Sequence, residues 1–347
     1  MEIVKPIFAM IGGKFVIQDL LSLKLAPADG YGDDFYKVKR DIFLGSGFVG
    51  GLPNFGLITE VMGQSIVPVV ANVPGENFLR CLGTGFFISC SGILATAAHV
   101  IADPIDREYG VPIQMTERKI YLKGIKMGVM LPVNSAFHGI KCYVYRAIEW
   151  SMFLAESREN PLPIKNIDLK LSADIAICKI ESSPDGHPYQ PLSIVQKGMK
   201  GIGLTVGKKA RAIGYGDMRD VDLSPAGPKT MAGDFRFDLF VSHGAILQRF
   251  PDNFTSKEAS APGPCFSAEM KLPGGMSGSP IFDDEGIYVH GVVSRGLEDE
   301  SGLASYGYGC MLAPSLMLPL DVFEGRSVFD LLASGDHGIT RITAPDI

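Results

Sequence analysis

From Ser65 onward the sequence consists of short apolar runs rich in Val, Ile and Phe, each interrupted by turn-forming residues before it reaches the length of a buried helix. Ile66 to Val70, Phe78 to Cys81, Gly85 to Ile88 and Gly92 to Ala95 succeed one another in this way and read as a β-meander. The pattern returns at Lys119 to Leu122, Gly128 to Leu131, Lys141 to Tyr145 and Leu169 to Ile180. It recurs again at Arg211 to Tyr215, Phe235 to Val241, Gly244 to Leu247, Cys265 to Met270, Pro280 to Phe282, Tyr288 to Ser294 and Tyr306 to Leu312. The chain carries 41 glycines in 347 residues, well above the usual ~7%, so an all-β, turn-rich architecture is expected.

Within that frame, Leu272-Pro273-Gly274-Gly275-Met276-Ser277-Gly278-Ser279-Pro280-Ile281-Phe282 stands out. Glycines before and after Ser277 let the backbone turn sharply and lift the hydroxyl from a strand end. A serine hydroxyl is a poor nucleophile at neutral pH, so its chemistry requires an imidazole to take the proton and a carboxylate to orient that imidazole. His99, in Ala95-Thr96-Ala97-Ala98-His99-Val100, and Asp174, in Ser172-Ala173-Asp174-Ile175-Ala176, supply both in the order His, Asp, Ser. Asp168 is a rival to Asp174, but Ile175, Ala176 and Ile177 make the buried strand that would hold Asp174. The remaining histidines, His138, His187, His243, His290 and His337, have no such setting and read as solvated or core residues.

The other segments serve as connectors and extensions. Residues before 65 read as an N-terminal extension: an apolar patch at Ile7 to Ile17, a helical turn around Asp19 to Leu25, and a polar stretch from Asp29 to Arg40. Gly45-Ser46-Gly47-Phe48-Val49-Gly50 matches GxGxxG by letter, yet Gly51, Pro53 and Asn54 follow where a dinucleotide site needs a helix, so it reads as a loop. Residues 181 to 203 have a linker composition, Ser224 to Asp234 and Pro251 to Pro264 read as loops, and Leu320 to Ala333 has the apolar spacing of a terminal helix.

A net charge of -6 with scattered basic residues gives no footprint for nucleic acid. Six cysteines without a CxxC pair suit reduced thiols, hence a cytoplasmic location. The N-terminus lacks the basic start and unbroken apolar core of an export signal. The two uncharged runs near spanning length, Ile42 to Thr59 and Gly302 to Leu320, are broken by prolines, so membrane insertion is not expected.

Together these residues resemble the trypsin/chymotrypsin-like serine peptidases, in particular the bacterial trypsin-like branch that lacks the secreted enzymes' disulfides. The resemblance covers about Ser65 to Leu316. It rests on Gly83-Thr84-Gly85-Phe86 ahead of Thr96-Ala97-Ala98-His99, on Asp174-Ile175-Ala176, on Gly214-Tyr215-Gly216, on Gly275 to Pro280, and on Gly291-Val292-Val293-Ser294-Arg295-Gly296. It implies two antiparallel six-stranded β-barrels, one over 65–190 carrying His99 and Asp174 and one over 191–316 carrying Ser277. An extension at 1–64 and a short C-terminal helix and tail at 317–347 flank them.

The implied activity is that of a serine endopeptidase working through an acyl-enzyme on a protein or peptide substrate. The amides of Gly275 and Ser277 would be the oxyanion donors, and neither metal nor organic cofactor is called for. The alternative is a protease fold used as a binding or scaffold module, with the extension docking a regulatory partner. Met276 replaces the aspartate that pairs with a freed N-terminus in zymogen-activated relatives, so that activation route is excluded.

The resemblance also places the primary pocket between Lys271, Leu272, Pro273 and Gly274 on one side and Ser294, Arg295 and Gly296 on the other, the latter pairing with the substrate strand. Lys271 stands where an aspartate would select Lys or Arg. Pointing inward it favours acidic or polar residues; pointing outward it leaves an apolar pocket lined by Leu272 and Val293 that suits apolar or small residues.

Overall fold

The computed structural model describes residues 2–11, 14–27, 35–38, 48–49, 52–53, 64–72, 76–102, 113–116, 119–123, 125–134, 141–157, 169–182, 189–192, 194, 204–227, 230–250, 264–283, 288–298, 304–317, 319–320 and 323–334. Strands β1 (Glu2–Ile11) and β2 (Lys14–Pro27) form an antiparallel hairpin, with β3 (Phe35–Val38) on the edge of β2. Asp19 to Leu25 is therefore strand, not the helical turn expected: Leu21, Leu23 and Leu25 alternate with Ser22 and Lys24, and pairing with β1 fixes that period-2 pattern. Of the glycine-rich stretch, residues 45–47 lie outside the described residues, while β4 (Phe48–Val49) pairs back on β5 (Leu52–Pro53).

The first barrel uses β6 (Ile66–Ala71), β7 (Phe78–Phe87), β8 (Ile93–Thr96), β11 (Met127–Asn134), β12 (Lys141–Ser157) and β13 (Leu169–Ile180). Their order is β11-β6-β7-β8-β13-β12, closed by β11 on β12 into six antiparallel strands. Between β8 and β11 come helix α1 (Ala98–Ala102) and the hairpin β9 (Ile113–Thr116) and β10 (Lys119–Lys123), which attaches to β12. Several runs that looked separate in sequence are single strands here. Phe78 to Phe87 continues through Gly83 and Gly85, and β12 unites Lys141 to Tyr145 with the mixed stretch after Glu149. Phe86, Phe87, Leu94, Val69 and Ile177 fill the interior.

The second barrel uses β14 (Lys209–Gly216), β18 (Asp238–Phe250), β19 (Cys265–Ala268), β20 (Pro280–Asp283), β21 (Val289–Glu298) and β22 (Ala304–Met311). Their order, β18-β14-β20-β21-β22-β19, closes through β18 on β19. Before β18, β15 (Val221–Asp222) crosses to pair with β7 of the first barrel, and β16 (Ser224–Gly227) with β17 (Thr230–Ala232) makes a small hairpin. That hairpin corrects the loop expected over Ser224 to Asp234; the loop expected at Pro251 to Pro264 lies almost wholly outside the described residues. The N-terminal strands belong to this second sheet, since β3 pairs with β18 at Phe240↔Lys37 and Val241↔Tyr36.

After β22 come α2 (Leu312–Leu316) and α3 (Val328–Ser334). Ser327 and Asp330 start α3 as a reciprocal cap: Ser327 N donates to Asp330 Oδ2 at 2.8 Å and Asp330 N to Ser327 Oγ at 3.1 Å. Val328 and Leu331 are buried in the large core cluster to which both barrels contribute, and Phe323 meets Trp150 of β12 edge to face, ring centres 5.9 Å apart. No helix among the described residues is long and apolar enough to cross a membrane.

Candidate active site

Register explains how His99 and Asp174 meet. Ala176 of β13 lies opposite Thr96 of β8, so two residues further along, Asp174 runs beside the start of α1, where His99 sits. His99 Nδ1 lies 2.8 Å from Asp174 Oδ2, and His99 N donates to Asp174 Oδ1 at 2.9 Å. The carboxylate thus grips both the ring and the main chain of one residue. Its side chain is 4% exposed while that of His99 is 29% exposed, so the pair is buried on the acid side and open on the imidazole side.

Burial alone would raise the Asp174 pKa. The hydrogen bond from His99, attraction to its charged form, and further bonds from Ser294 Oγ and His99 N outweigh it, so the carboxyl is held below its ordinary range. A carboxylate against Nδ1 holds an imidazole in one tautomer and stabilises its protonated form. Asp168, the rival carboxylate, lies outside the described residues.

Ser277 lies in the turn before β20, and two barrels hold it. From the second, Gly278 N donates to Val293 O at 2.8 Å and Val293 N to Ser279 O at 2.9 Å; from the first, Thr84 N donates to Ser277 O at 2.8 Å. Gly278 is wedged at this junction with φ +88°, and a Cβ there would lie 1.9 Å from Thr84 O and 2.3 Å from Thr96 Oγ1. Only glycine brings the Ser277 turn this close to the strand and turn that lead into His99.

Ser294 joins the two ends of the site. Its Oγ donates to Asp174 Oδ2 at 2.5 Å, and its carbonyl accepts Ser277 Oγ at 3.2 Å. Beside the backbone pairing toward substrate expected of Ser294, its buried side chain holds the carboxylate.

The turn is also fixed at successive carbonyls. Asp217 N donates to Gly274 O at 2.8 Å, and Thr84 Oγ1 donates to Gly275 O at 2.9 Å. Met276 N is used locally, to Pro273 O at 3.2 Å. Among the described residues, the amides of Gly275 and Ser277 have no acceptor, so two N–H groups flanking Met276 are available to an external oxygen. Gly275 has φ +90°, the left-handed region that a side chain resists. Met276 itself is fully buried in the second barrel's core beside Leu272.

Thr84, one residue of Gly83-Thr84-Gly85-Phe86, is the hub of this junction. It is fully buried, binds Ser277 O and Gly275 O, accepts from Tyr215 N at 3.0 Å, and its carbonyl accepts Thr96 Oγ1 at 2.7 Å. The Gly-Thr-Gly spacing carried the signal, since small neighbours let this strand approach the serine turn, but the hydroxyl's partners come from residues far along the chain.

On the receiving side, Arg295 is exposed, Lys271 and Pro273 are half-buried, and Gly274 is exposed with open space where a Cβ would be. Leu272 is 5% exposed, and Gly296 lies against it. Of the other histidines, His290 is buried in a pair with Asp283, Nε2 to Oδ2 3.2 Å, and His243 is half-buried; His138, His187 and His337 lie outside the described residues. No group of three or more potential metal ligands occurs among the described residues.

Two closed six-stranded antiparallel barrels with this histidine, aspartate and serine at their junction define a chymotrypsin-like architecture. The chain belongs to the trypsin-like peptidase domain family, whose match spans residues 83–289 and so includes all three residues. Solved structures similar to it include Deg5 (16% identity, 78% of this chain and 95% of that one, TM-score 0.41). The MamO protease domain from Magnetospirillum magneticum in its apo form is another (12%, 74% and 96%, TM-score 0.39). A third is an inactive serine-to-alanine mutant of Rv3671c from M. tuberculosis H37Rv (18%, 76% and 90%, TM-score 0.35). No curated protein matches the sequence.

Proposed function

We propose that the chain is a serine endopeptidase with Ser277 as nucleophile, His99 as general base and acid, and Asp174 as the orienting carboxylate. The observation that carries this reading is Ser294, which touches both ends of the set, Asp174 through its hydroxyl and Ser277 through its carbonyl. In the resting geometry Ser277 Oγ donates to Ser294 O, so the first step is a rotation about χ1 that turns its proton to His99 Nε2.

Oγ then attacks the scissile carbonyl carbon as the proton passes to Nε2. The resulting oxyanion takes hydrogen bonds from Gly275 N and Ser277 N. Collapse breaks the C–N bond, the amine leaves with the proton from His99, and an acyl ester remains on Ser277. Water, deprotonated by His99, cleaves that ester and restores the hydroxyl. Each step uses groups of this chain and water alone. The cysteine usage supports a cytoplasmic setting for this activity, with protein or peptide substrates and neither nucleic acid nor membrane as partner.

The resting orientation of the Ser277 hydroxyl favours one other reading, a protease fold used as a binding module. Incubating the purified full-length chain with a proteome-derived peptide library, beside Ser277→Ala, separates them. New termini that depend on Ser277 are expected. Equal yields from both proteins would contradict the peptidase reading, and no cleavage by a folded wild type would favour the binding module.

A further inference from the structure

The two strands under the receiving side carry facing glycines: Gly296 of β21 is the register partner of Gly307 of β22. Missing side chains on neighbouring strands leave a hollow, and in this chain Leu272 occupies it. A Cβ on Gly296 would lie 2.1 Å from the Leu272 carbonyl oxygen, and one on Gly307 would lie 2.3 Å from Leu272 Cδ1. The backbone of Leu272 covers the first glycine and its side chain the second. Leu272 is also part of the second barrel's core with Met276, Phe266 and Val293, so it is a packed residue and not a surface flap.

The segment has little freedom to withdraw. Within five residues of Leu272, the Gly274 carbonyl is held by Asp217 N, the Gly275 carbonyl by Thr84 Oγ1 and the Ser277 carbonyl by Thr84 N. The contact lies two residues along β21 from Ser294, whose carbonyl meets the Ser277 hydroxyl, so it is roughly 7 Å along the strand from the reacting group. Room for a substrate side chain therefore ends shortly beyond the point where it would enter.

Resting on the peptidase reading above, we propose that Leu272 sets specificity by filling the primary pocket, so that the site takes polypeptides with glycine or alanine at the residue whose carbonyl Ser277 attacks. Aromatic, long aliphatic and basic side chains are refused because Leu272 already occupies their volume; the charge of Lys271 is secondary. This chooses the small-residue alternative among those the sequence left open.

The test uses two peptidyl diphenyl phosphonates identical except for alanine or phenylalanine at that position, applied to the full chain and to Leu272→Ala, with a small fluorophosphonate as reference. Wild type is expected to react about 100-fold faster with the alanine probe, and Leu272→Ala to narrow that gap to about ten-fold or less. The wild-type comparison decides without the variant if Leu272→Ala does not fold. Wild type reacting equally fast with both probes, while the fluorophosphonate labels Ser277, overturns the pocket assignment alone. A gap unchanged in folded Leu272→Ala does the same. A folded chain that takes none of the three probes overturns the peptidase reading, and this inference with it.

Discussion

On one side of Ser277, Asp174 accepts three hydrogen bonds, two from His99 and one from Ser294, and is almost wholly buried. On the other side, the amides of Gly275 and Ser277 have no acceptor among the described residues, and the hollow between Gly296 and Gly307 is filled by van der Waals contact with Leu272. The acid side is a saturated polar network, which burial makes rigid because any broken bond strands a buried charge. The receiving side is held through backbone carbonyls and apolar packing, so its shape follows from side-chain volume. Losses on the acid side should therefore stop the chemistry, whereas changes on the receiving side should redirect it.

The largest expected effect lies on the acid side. Asp174→Asn removes the group that fixes the imidazole, and turnover on any cleaved peptide should fall about 10,000-fold. Its stability effect carries a pH signature. Because the folded-state pKa of Asp174 is depressed, its stabilisation is fully present above the unfolded value of about 3.9 and is lost as pH falls through the lower folded value. The difference between the denaturant midpoints of wild type and Asp174→Asn should shrink as pH falls below about 4. A difference that instead widens below about pH 4 would contradict the direction of the shift.

Next is the junction of the two sides. Gly278→Ala forces a side chain into a positive-φ position and into Thr84 O and Thr96 Oγ1, and should cost about 4 kcal/mol in chemical denaturation through strain plus overpacking. A loss under about 1 kcal/mol would mean that the barrels are not pressed together there.

Thr84→Val tests whether the receiving turn depends on its hydroxyl link to the first barrel. It keeps the shape but leaves Gly275 O without its donor and Tyr215 N without its acceptor, so about 1–3 kcal/mol of stability should go. Turnover should fall about 100-fold as the oxyanion donors lose registration. Thr84→Ser should recover both; a serine variant as impaired as valine would show that the methyl, not the hydroxyl, matters.

The smallest effect concerns two buried thiols, Cys178 and Cys310, the second of which lies against Asp174. Burial pushes Cys178 up to about 12 and Cys310 well above its ordinary value. Iodoacetamide at about pH 8 should leave both unmodified until the chain is denatured. Rapid alkylation of either in the folded protein would place it outside the core described.

The strands were legible as short β-runs and their closure into two barrels followed from the family resemblance, while Ser277, His99 and Asp174 stood out as candidates by a glycine-flanked serine and by a histidine and aspartate beside buried strands. What was not legible depends on register between distant residues. Gly296 faces Gly307 only once β21 and β22 pair, and nothing in the spacing of Leu272 says that it turns inward beneath them. Thr84 reads as a small residue between glycines, and its partners Gly275 and Tyr215 lie more than a hundred positions away. The error at Asp19 to Leu25 has the same origin: a leucine-rich stretch suits helix or strand, and pairing with β1 decides.

Whether His99 activates Ser277 is the central claim, and labelling by a fluorophosphonate, with the modified residue located by mass spectrometry, tests it most directly. The account predicts label on Ser277 of the folded full-length chain and its near-complete loss in His99→Ala. A folded wild type that stays unlabelled, or labelling of Ser277 undiminished in His99→Ala, would contradict it.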